Sequence, residues 1–486
     1  MEWTRAKRYL PYDQWSAERL LKLQAQADRS QYQLRYHIRP KSGLLNDPNG
    51  FSYFNGAYHV FYQSFPFGAV HGLKSWMHMT SPDMVNWQEQ GLAIAPDTTY
   101  DSHGAYSGSA IQQGDKLFLM YTGNHRTEDW ERIPYQLGAW MDKTGKVTKL
   151  PQPLFKNPAG ISEHFRDPQV IKANGKFYAV LGAQTASDQT GQVMLYQSKD
   201  LLNWEKAGFL HFTDEKLGYM VECPNLVKVD GKYVLIFCPQ GLSQEVSDYQ
   251  NIYPNMYVIF DDINWDTLEA VNPSPLYNLD GGFDVYATQA FNDQDGTAYA
   301  ISWVGLPDIS YPTDDENWAN CLSQVKELHL KDGRLYQTPV SGIASLHEFE
   351  QSLENTPEIC AVTDNQYELE LTIAPNQQGN LYLQTDKDLK HGVKLTFDTA
   401  AGYLALDRSQ TSQPFNEKYG LIRSSRLPAQ QAAKLRIFVD HSLIEVFVND
   451  GEQVLTGRYF TSPAASRIAF DQPVNYRGHY WDMRPI

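Results

Sequence analysis

A repeat of about sixty residues constrains the fold of this chain more than any other feature. In each of five segments, a turn containing glycine is followed by a short run of aromatic and β-branched residues. Asn-Gly or Asp-Gly before alternating apolar residues is a strong β-hairpin signal. Repeats of this length built from strands and turns predict a propeller in which each repeat is one four-stranded blade. The turn glycines, separated by 58, 61, 56 and 65 residues, are Gly56, Gly114, Gly175, Gly231 and Gly296.

Five repeats predict an all-β fold with a five-bladed β-propeller across residues 35–340. A second repeated pattern, SPDMVNW and SKDLLNW, agrees with this period because it places Trp87 and Trp204 117 residues apart, close to two repeats. The alternative is a β-sandwich made of consecutive hairpins. We favour the propeller because sandwiches do not usually keep a sixty-residue period.

The segments that flank the repeats have different patterns. Residues 14–29 are typical of an amphipathic helix with Leu20, Leu21 and Leu23 in one apolar cluster, which predicts an N-terminal helical extension over residues 1–34 packed on the propeller.

After the repeats, residues 341–354 predict a short linker helix. From there the chain alternates between apolar and polar residues, which predicts an antiparallel β-sandwich over residues 355–486. The strongest predicted strands are 367–373, 393–397, 435–439 and 443–448.

The composition excludes several classes of partner. Lys and Arg total 41 against 57 Asp and Glu, a net charge of −16, whereas nucleic-acid and anionic membrane surfaces need basic patches. The mean hydropathy is −0.49, and no apolar run approaches the ~20 residues of a membrane helix. Four cysteines without CxxC spacing do not suit a disulfide scaffold. With no apolar N-terminal stretch of the signal-peptide type, these features predict a cytoplasmic protein without nucleic-acid or membrane partners.

Three carboxylates occupy equivalent positions in three repeats. Asp47, Asp167 and Glu222 precede the turn glycines of the first, third and fourth repeats by nine, eight and nine residues, and a proline follows each acid within two residues. This position opens the first strand of a blade, which is the innermost strand of a propeller, and proline is tolerated where a strand begins. Rotation about the propeller axis therefore predicts that the three acids converge at one mouth of the central channel. The alternative is that the Asp-Pro pairs only cap turns.

Converging carboxylates repel, which separates their pKa values and suits acid and nucleophile roles. We expect Arg166 to keep its neighbour Asp167 ionised. The sequence contains none of the HExxH, GxSxG, GxGxxG or Walker motifs. Glycoside hydrolysis fits two or three carboxylates acting without metal or cofactor, so we predict no metal site, no cofactor and a sugar as the small-molecule substrate.

Six motifs in register resemble those of glycoside hydrolase family 32, the invertases and β-fructofuranosidases. The DHSLIEVFVNDG segment (440–451) is similar to the C-terminal sandwich of that family, so the resemblance extends over nearly the whole chain. The six motifs are LLNDPNG (44–50), FYQ (61–63), YSGSA (106–110), FRDP (165–168), VECPN (221–225) and GFDVYA (282–287).

The resemblance implies a retaining double displacement on a terminal β-fructofuranosyl unit. It implies that Asp47 is the nucleophile, Glu222 the acid/base and Asp167 the transition-state stabiliser that holds fructose hydroxyls. Cys223 is then interpreted as a small side chain that tunes the environment of its neighbour Glu222. For Trp76 and Trp303 plain packing is the alternative. The implied fructose-binding residues are Asn46, Gln63, Trp76, Tyr106, Ser107, Arg166, Asp284 and Trp303.

Departures from the invertase pattern resemble the bacterial branch of the family that acts on sucrose 6-phosphate. Leu44-Leu45 stands where invertases often have Trp-Met, and His71-Gly72 where they often have Trp-Gly. A phosphate on the glucosyl unit would meet positive charge near the pocket rim, and the candidates are Arg126 first, then His71 and Lys74.

Three other functions remain open from the sequence. The chain could be an intracellular β-fructofuranosidase acting on sucrose or short fructo-oligosaccharides. It could be a related hydrolase that inverts configuration, which requires carboxyl groups farther apart than retention does. It could also be a non-catalytic propeller that binds a sugar or a protein, although a scaffold has no use for three converging acids.

Overall fold

The structure is a computed structural model that describes residues 1–486. It confirms the all-β prediction: five propeller sheets are followed by two six-stranded sheets. No helix has the length and apolar character that crossing a membrane requires.

The five propeller sheets follow one another along the chain, with antiparallel neighbouring strands. Blade 1 contains Gly43–Phe54, Ala57–Phe65, Ser75–Ser81 and Gln88–Ile94. Blade 2 contains Ala105–Gln113, Lys116–Arg126, Arg132–Met141, Val147–Lys149 and Phe155–Lys156. Blade 3 contains Ile161–Ala173, Lys176–Thr185, Gly191–Ser198 and Trp204–Phe209.

Blades 4 and 5 carry short additional strands. Blade 4 contains Met220–Val229, Lys232–Gln240, Met256–Phe260 and Tyr277–Asn278, with the separate hairpin Asp262–Asn264 and Glu269–Val271 beside it. Blade 5 contains Val285–Asn292, Ala298–Val304, Lys326–Lys331 and Arg334–Pro339, with Cys321–Leu322 paired to its second strand.

The first strands of the blades form a closed ring. Each contacts the first strand of the next blade, and that of blade 5 returns to that of blade 1. Trp318–Ala319, from a loop of blade 5, pairs in parallel with the start of blade 1 and helps to close the ring. The five turn glycines all have left-handed φ values between 61° and 88° and join the first strand of each blade to the second, as the hairpin signal predicts.

The N-terminal extension packs on blade 1 over most of its length, and Ala27 at its end packs against blade 5 and the sandwich. It contains the helix Arg5–Arg8, the 3₁₀ helix Tyr12–Gln14 and the helix Ala17–Ala27. The last helix begins where Ser16 accepts a hydrogen bond from the Arg19 amide, a common N-cap. Leu23 is buried, but Leu21 is 65% exposed, so the predicted leucine cluster is wrong at that residue. The cause is helical spacing, since Leu21 lies off the buried face.

The predicted linker helix over 341–354 is wrong for most of its length. Only Ser341–Leu346 is helical, and it is 3₁₀. His347–Glu354 is a strand that pairs with Tyr476–Met483, a strand far along the chain. Hydrogen bonds to this distant partner outweigh the local helical preference of the segment.

The C-terminal domain is the predicted antiparallel sandwich, and its four strongest predicted strands are confirmed. Its core is a cluster of apolar side chains from the facing surfaces of both sheets. The first sheet has the spatial order His347–Glu354, Tyr476–Met483, Gln366–Ile373, Ala433–Asp440, Leu443–Val448 and Gln453–Arg458. The second has the order Glu358–Cys360, Arg467–Phe470, Gln378–Thr385, Gly392–Asp398, Tyr403–Gln410 and Ile422–Arg426.

A buried ionic cluster joins the start of the propeller to the sandwich. His37 Nδ1 lies 2.9 Å from Asp440 Oδ2, and His37 Nε2 lies 3.5 Å from Glu445 Oε2. All three side chains are almost inaccessible to solvent. Burial alone would lower the pKa of His37, but the hydrogen bonds to the two carboxylates raise that pKa to about 9. His37 is therefore charged at neutral pH and compensates two buried anions.

We expect His37→Ala to lower the free energy of unfolding by about 3–5 kcal/mol at pH 7, because it leaves two buried carboxylates without their cation. The raised pKa adds stability that is complete below pH ~6.5 and is lost as the pH rises through about 9. Urea denaturation at pH 7 and pH 10 measures both effects. The variant should lack this alkaline loss, and the exposed His211→Ala should behave as wild type. Equal stability of His37→Ala and wild type at pH 7 would contradict the assignment.

Candidate active site

A β-bulge interrupts the first strand of every blade at the same position. A bulge inserts unpaired residues into a strand and changes the direction of their side chains. The predicted acids lie within these bulges or directly beside them, so the repeated bulge brings them to one mouth of the ring. The register shifts occur at Leu45/Pro48, Ala105/Gly108, Arg166/Gln169, Glu222/Asn225 and Tyr286/Gln289.

Asp47 is buried, and hydrogen bonds hold both of its carboxylate oxygens. Ser107 Oγ donates to Oδ2, and Asn46 Nδ2 donates to Oδ1 at 3.1 Å. Burial raises the pKa of Asp47, and the nearby Glu222 charge adds to that rise, while the bonds from Ser107 and Asn46 oppose it. The side chain therefore has one fixed orientation.

Asp167 lies in the left-handed region, with φ 66°. Its Oδ2 accepts a hydrogen bond of 3.0 Å from the backbone N–H of Cys223. Burial, followed by the charge of Glu222, raises the pKa of Asp167 to about 7. Arg166 lowers this pKa, as its position beside Asp167 predicts, but burial and the charge of Glu222 outweigh its effect.

Glu222 is the most accessible of the three acids, with 17% of its side chain exposed. Arg166 Nε donates to Glu222 Oε2 at 3.1 Å, and Tyr286 OH donates to Glu222 Oε1 at 2.7 Å. Arg166 therefore pairs with Glu222 rather than with Asp167, its neighbour in sequence. The three acids thus have three different environments, which is the condition for dividing acid, base and nucleophile roles among them.

The three acids open into a pocket of about 520 Å³, large enough for a disaccharide by the usual size of ligand pockets. Polar side chains link its floor: Asn46 donates to Gln63 Oε1 at 2.8 Å, and Gln63 donates to Ser107 Oγ at 2.6 Å. Lys74 Nζ donates to Asn46 Oδ1, and burial lowers the pKa of Lys74 to about 7. The predicted residues that line the pocket are Asn46, Asp47, Gln63, His71, Lys74, Tyr106, Arg166, Asp167, Glu222 and Trp303.

Two predicted sugar-binding residues lie behind the pocket surface. Trp76 is fully buried, and its indole N–H donates to the Tyr106 carbonyl at 2.8 Å, so it supports Tyr106 from behind. Ser107 also lies beneath the surface and contacts Asp47 from that side.

Asp284 and Arg126 do not belong to the pocket. Asp284 is fully buried at the junction with the sandwich, where it accepts hydrogen bonds from Arg408 and from the Arg458 amide. A carboxylate saturated by such partners is not available to a sugar, so this prediction is wrong. The Arg126 guanidinium donates to the Trp130 carbonyl at 3.0 Å and does not line the pocket, so its assignment as the first phosphate candidate is also wrong.

The pocket contains residues that the sequence analysis did not assign to the site. Tyr286 lies in the GFDVYA segment, so its motif was a signal for it. His164 directly precedes the FRDP motif, and Arg132 lies far from every motif. Neither residue belongs to a motif, so the sequence gave no signal for them. Tyr9 comes from the N-terminal extension, outside every repeat. The remaining lining residues include Gln240, Tyr253, Pro307 and Asp308.

One group of side chains has the spacing of a metal site. The candidate ligand atoms of Asp47, Asp167 and Cys223 lie within 4.8 Å of one another. Sulfur binds metal as a thiolate, but burial raises the pKa of the Cys223 thiol well above its ordinary value. The Cys223 thiol therefore keeps its proton and donates it in a hydrogen bond to Asp47, with Cys223 Sγ 3.5 Å from Asp47 Oδ2. That the protein uses no metal or cofactor stays a prediction.

Comparison with known proteins gives matches that together cover the whole chain. The profile of the glycosyl hydrolases family 32 N-terminal domain matches residues 37–339, and that of the family 32 C-terminal domain matches residues 335–479. A sucrose-6-phosphate hydrolase of Pediococcus pentosaceus is 48% identical, with 100% of this chain and 97% of that protein aligned.

Solved structures agree with these matches. The sucrose-6-phosphate hydrolase of Lactobacillus gasseri superposes with a TM-score of 0.98 and 53% identity over 100% of both chains. A GH32 β-fructofuranosidase of Bombyx mori has a TM-score of 0.85 and 29% identity over 96% of this chain and 97% of its own. The chain therefore belongs to glycosyl hydrolase family 32 and is a glycoside hydrolase with a five-bladed propeller and a C-terminal β-sandwich.

Proposed function

We propose that the protein hydrolyses the β-fructofuranosyl bond of sucrose 6-phosphate and releases fructose and glucose 6-phosphate. The observation that carries the proposal is full-length similarity, at 48% and 53% identity, to two proteins named for this activity. Arg132, a basic pocket residue without an ion pair, supports the same substrate, since a phosphate needs positive charge in an otherwise acidic protein.

In this proposal Asp47 is the nucleophile. Its carboxylate attacks the anomeric carbon of the fructosyl unit while the bond to the glucosyl oxygen breaks, which gives a covalent fructosyl-enzyme. The hydrogen bonds from Ser107 and Asn46 support this role, because they fix the attacking oxygens in one geometry before substrate arrives.

Glu222 is the acid/base in the same proposal. It protonates the leaving glucosyl oxygen and then takes a proton from the water that hydrolyses the fructosyl-enzyme. Its greater exposure supports this role, because the acid/base must reach both the leaving group and water. Tyr286 and Arg166 orient its two oxygens.

Asp167 is the proposed stabiliser of the transition state. The Cys223 amide fixes the orientation of its carboxyl group, which accepts hydrogen bonds from fructose hydroxyls. Hydrogen bonds to sugar hydroxyls that strengthen as positive charge develops on the ring lower the barrier.

Initial rates on sucrose 6-phosphate and sucrose test the proposal directly. We expect kcat/KM to be at least about tenfold higher for the phosphosugar, because binding its dianion adds a charge-assisted contact absent with sucrose. Equal values for both substrates would indicate a general β-fructofuranosidase. Turnover of neither substrate would favour a propeller that only binds.

A further inference from the structure

The pocket wall beside Glu222 is formed by the side chains of Arg166 and His164, of which His164 is the more exposed. Arg166 NH1 donates to His164 Nδ1 at 3.0 Å, and side-chain exposure rises from 12% at Arg166 to 35% at His164. Because Glu222 serves the leaving group in the proposed function, this wall lies on the side where the departing glucosyl unit would sit.

Arg132 on this wall has no hydrogen bond or ion pair in the protein. Its Nε is buried without a partner, and its guanidinium faces the Tyr106 ring at 6.0 Å. Burial and the neighbouring Arg166 and Arg126 charges lower the pKa of Arg132, and no carboxylate forms an ion pair with its guanidinium. By contrast, the arginines that do form ion pairs are Arg39, Arg166, Arg408, Arg436 and Arg467.

His164 offers a directed donor beside Arg132. Its Nδ1 accepts from Arg166, so in the neutral ring the proton resides on Nε2. Burial, with the Arg166 and Arg132 charges, lowers the pKa of His164 to about 4, which keeps the ring neutral at pH 7. The Nε2–H makes no hydrogen bond in the protein, although Glu163 Oε1 lies 3.7 Å from Nε2, and it can donate to an anion without adding another charge.

The N-terminal extension supplies the other side of the opening. Tyr9 lines the pocket, and its ring lies edge-on to Trp130 with centroids 5.2 Å apart. The residues around it are anchored to blade 1: the Arg8 carbonyl accepts from the Leu73 amide at 2.8 Å, and Tyr12 OH donates to the Leu73 carbonyl at 2.7 Å. The chain on both sides of Tyr9 is therefore anchored to blade 1.

We propose that Arg132, with the Nε2–H of His164 and the hydroxyl of Tyr9, forms a subsite that binds the phosphate monoester of the departing sugar. This inference rests on the proposed function and adds the residues that select the phosphate. A guanidinium without a counter-ion matches a phosphate in charge and in fork geometry, and the two neutral donors contact the remaining phosphate oxygens.

The test is the ratio of kcat/KM for sucrose 6-phosphate to kcat/KM for sucrose in Arg132→Gln. We expect this ratio to fall about tenfold to a hundredfold, the loss typical of a charge-assisted contact. Arg132→Lys, which keeps the charge but not the fork, should lose less. Inhibition by glucose 6-phosphate gives a readout that does not depend on turnover, and its inhibition constant should rise in Arg132→Gln by a similar factor.

Arg126→Gln is the matched control, because Arg126 lies directly opposite Arg132 in the strand register but bonds to the Trp130 carbonyl. We expect its ratio to stay within about threefold of wild type. If Arg132→Gln keeps the wild-type ratio, or if both variants lose it equally, the assignment to Arg132 is overturned while the proposed substrate stands. A wild-type protein without preference for the phosphosugar would instead overturn the proposed function itself.

Discussion

Replacing Asp47 by Asn should lower kcat on sucrose 6-phosphate by on the order of 10⁴–10⁶, the loss seen when a covalent mechanism loses its nucleophile. The amide cannot attack the anomeric carbon, but it keeps the size of the carboxyl group and can still meet Ser107 and Asn46. Substrate binding should therefore survive. Steady-state rates measure the loss, and calorimetric titration with the intact substrate measures the retained affinity.

Asp115→Asn is the matched control, since it makes the same chemical change at an exposed turn of blade 2. Its rates should equal those of wild type. Rapid quenching of the wild-type reaction followed by mass spectrometry should show a hexosyl adduct on the peptide that carries Asp47. Turnover by Asp47→Asn within tenfold of wild type, or an adduct elsewhere, would refute the nucleophile assignment.

The second large effect is expected from Glu222→Gln, with a loss of about 10²–10⁴ in kcat, the usual contribution of a general acid/base. The leaving glucosyl oxygen then departs without a proton, and the incoming water has no base. Azide needs no base to attack, so it should restore the second step and yield fructosyl azide with retained configuration when the first step is not limiting. Product analysis by NMR gives that configuration.

Glu215→Gln serves as the control for Glu222, because Glu215 is exposed and lies in the same part of the chain. Its kcat should match that of wild type, whereas kcat of Glu222→Gln should fall as stated. A kcat of Glu222→Gln within tenfold of wild type would assign the acid role to another group. Azide product of inverted configuration would contradict the retaining mechanism.

The repeat made much of this site predictable. Because each blade has a turn glycine at the same place, an offset of eight or nine residues from that glycine identified the same structural position in three blades, and Asp47, Asp167 and Glu222 do converge. The sequence does not reveal the bulge that brings them together, since a bulge is a mismatch in pairing between two strands and leaves no single-residue pattern. The sequence also suggested Asp167 as the partner of Arg166, whereas the Arg166 side chain pairs with Glu222 in the next blade.

Several of the errors share one physical cause, which is contact between parts of the chain distant in sequence. Asp284 belongs to a segment that resembles a site motif, but its carboxylate accepts hydrogen bonds from Arg408 and Arg458 of the sandwich. His347–Glu354 is a strand because Tyr476–Met483 pairs with it. Tyr9 and Arg132 reach the pocket from segments without motifs. Local pattern cannot report such partners, whereas the alternating sandwich strands depend on local pattern and were predicted.

The ionic cluster at the propeller–sandwich junction has a consequence for biosynthesis. His37 and Asp440 are 403 residues apart, so at about 5–20 residues per second the ribosome adds Asp440 roughly 20–80 s after His37. Throughout that interval His37 has no anionic partner, because Asp440 and Glu445 have not yet been synthesised. We therefore expect the ring to complete its packing only late in translation, and a chain that stalls before residue 440 to remain a client of chaperones and proteases.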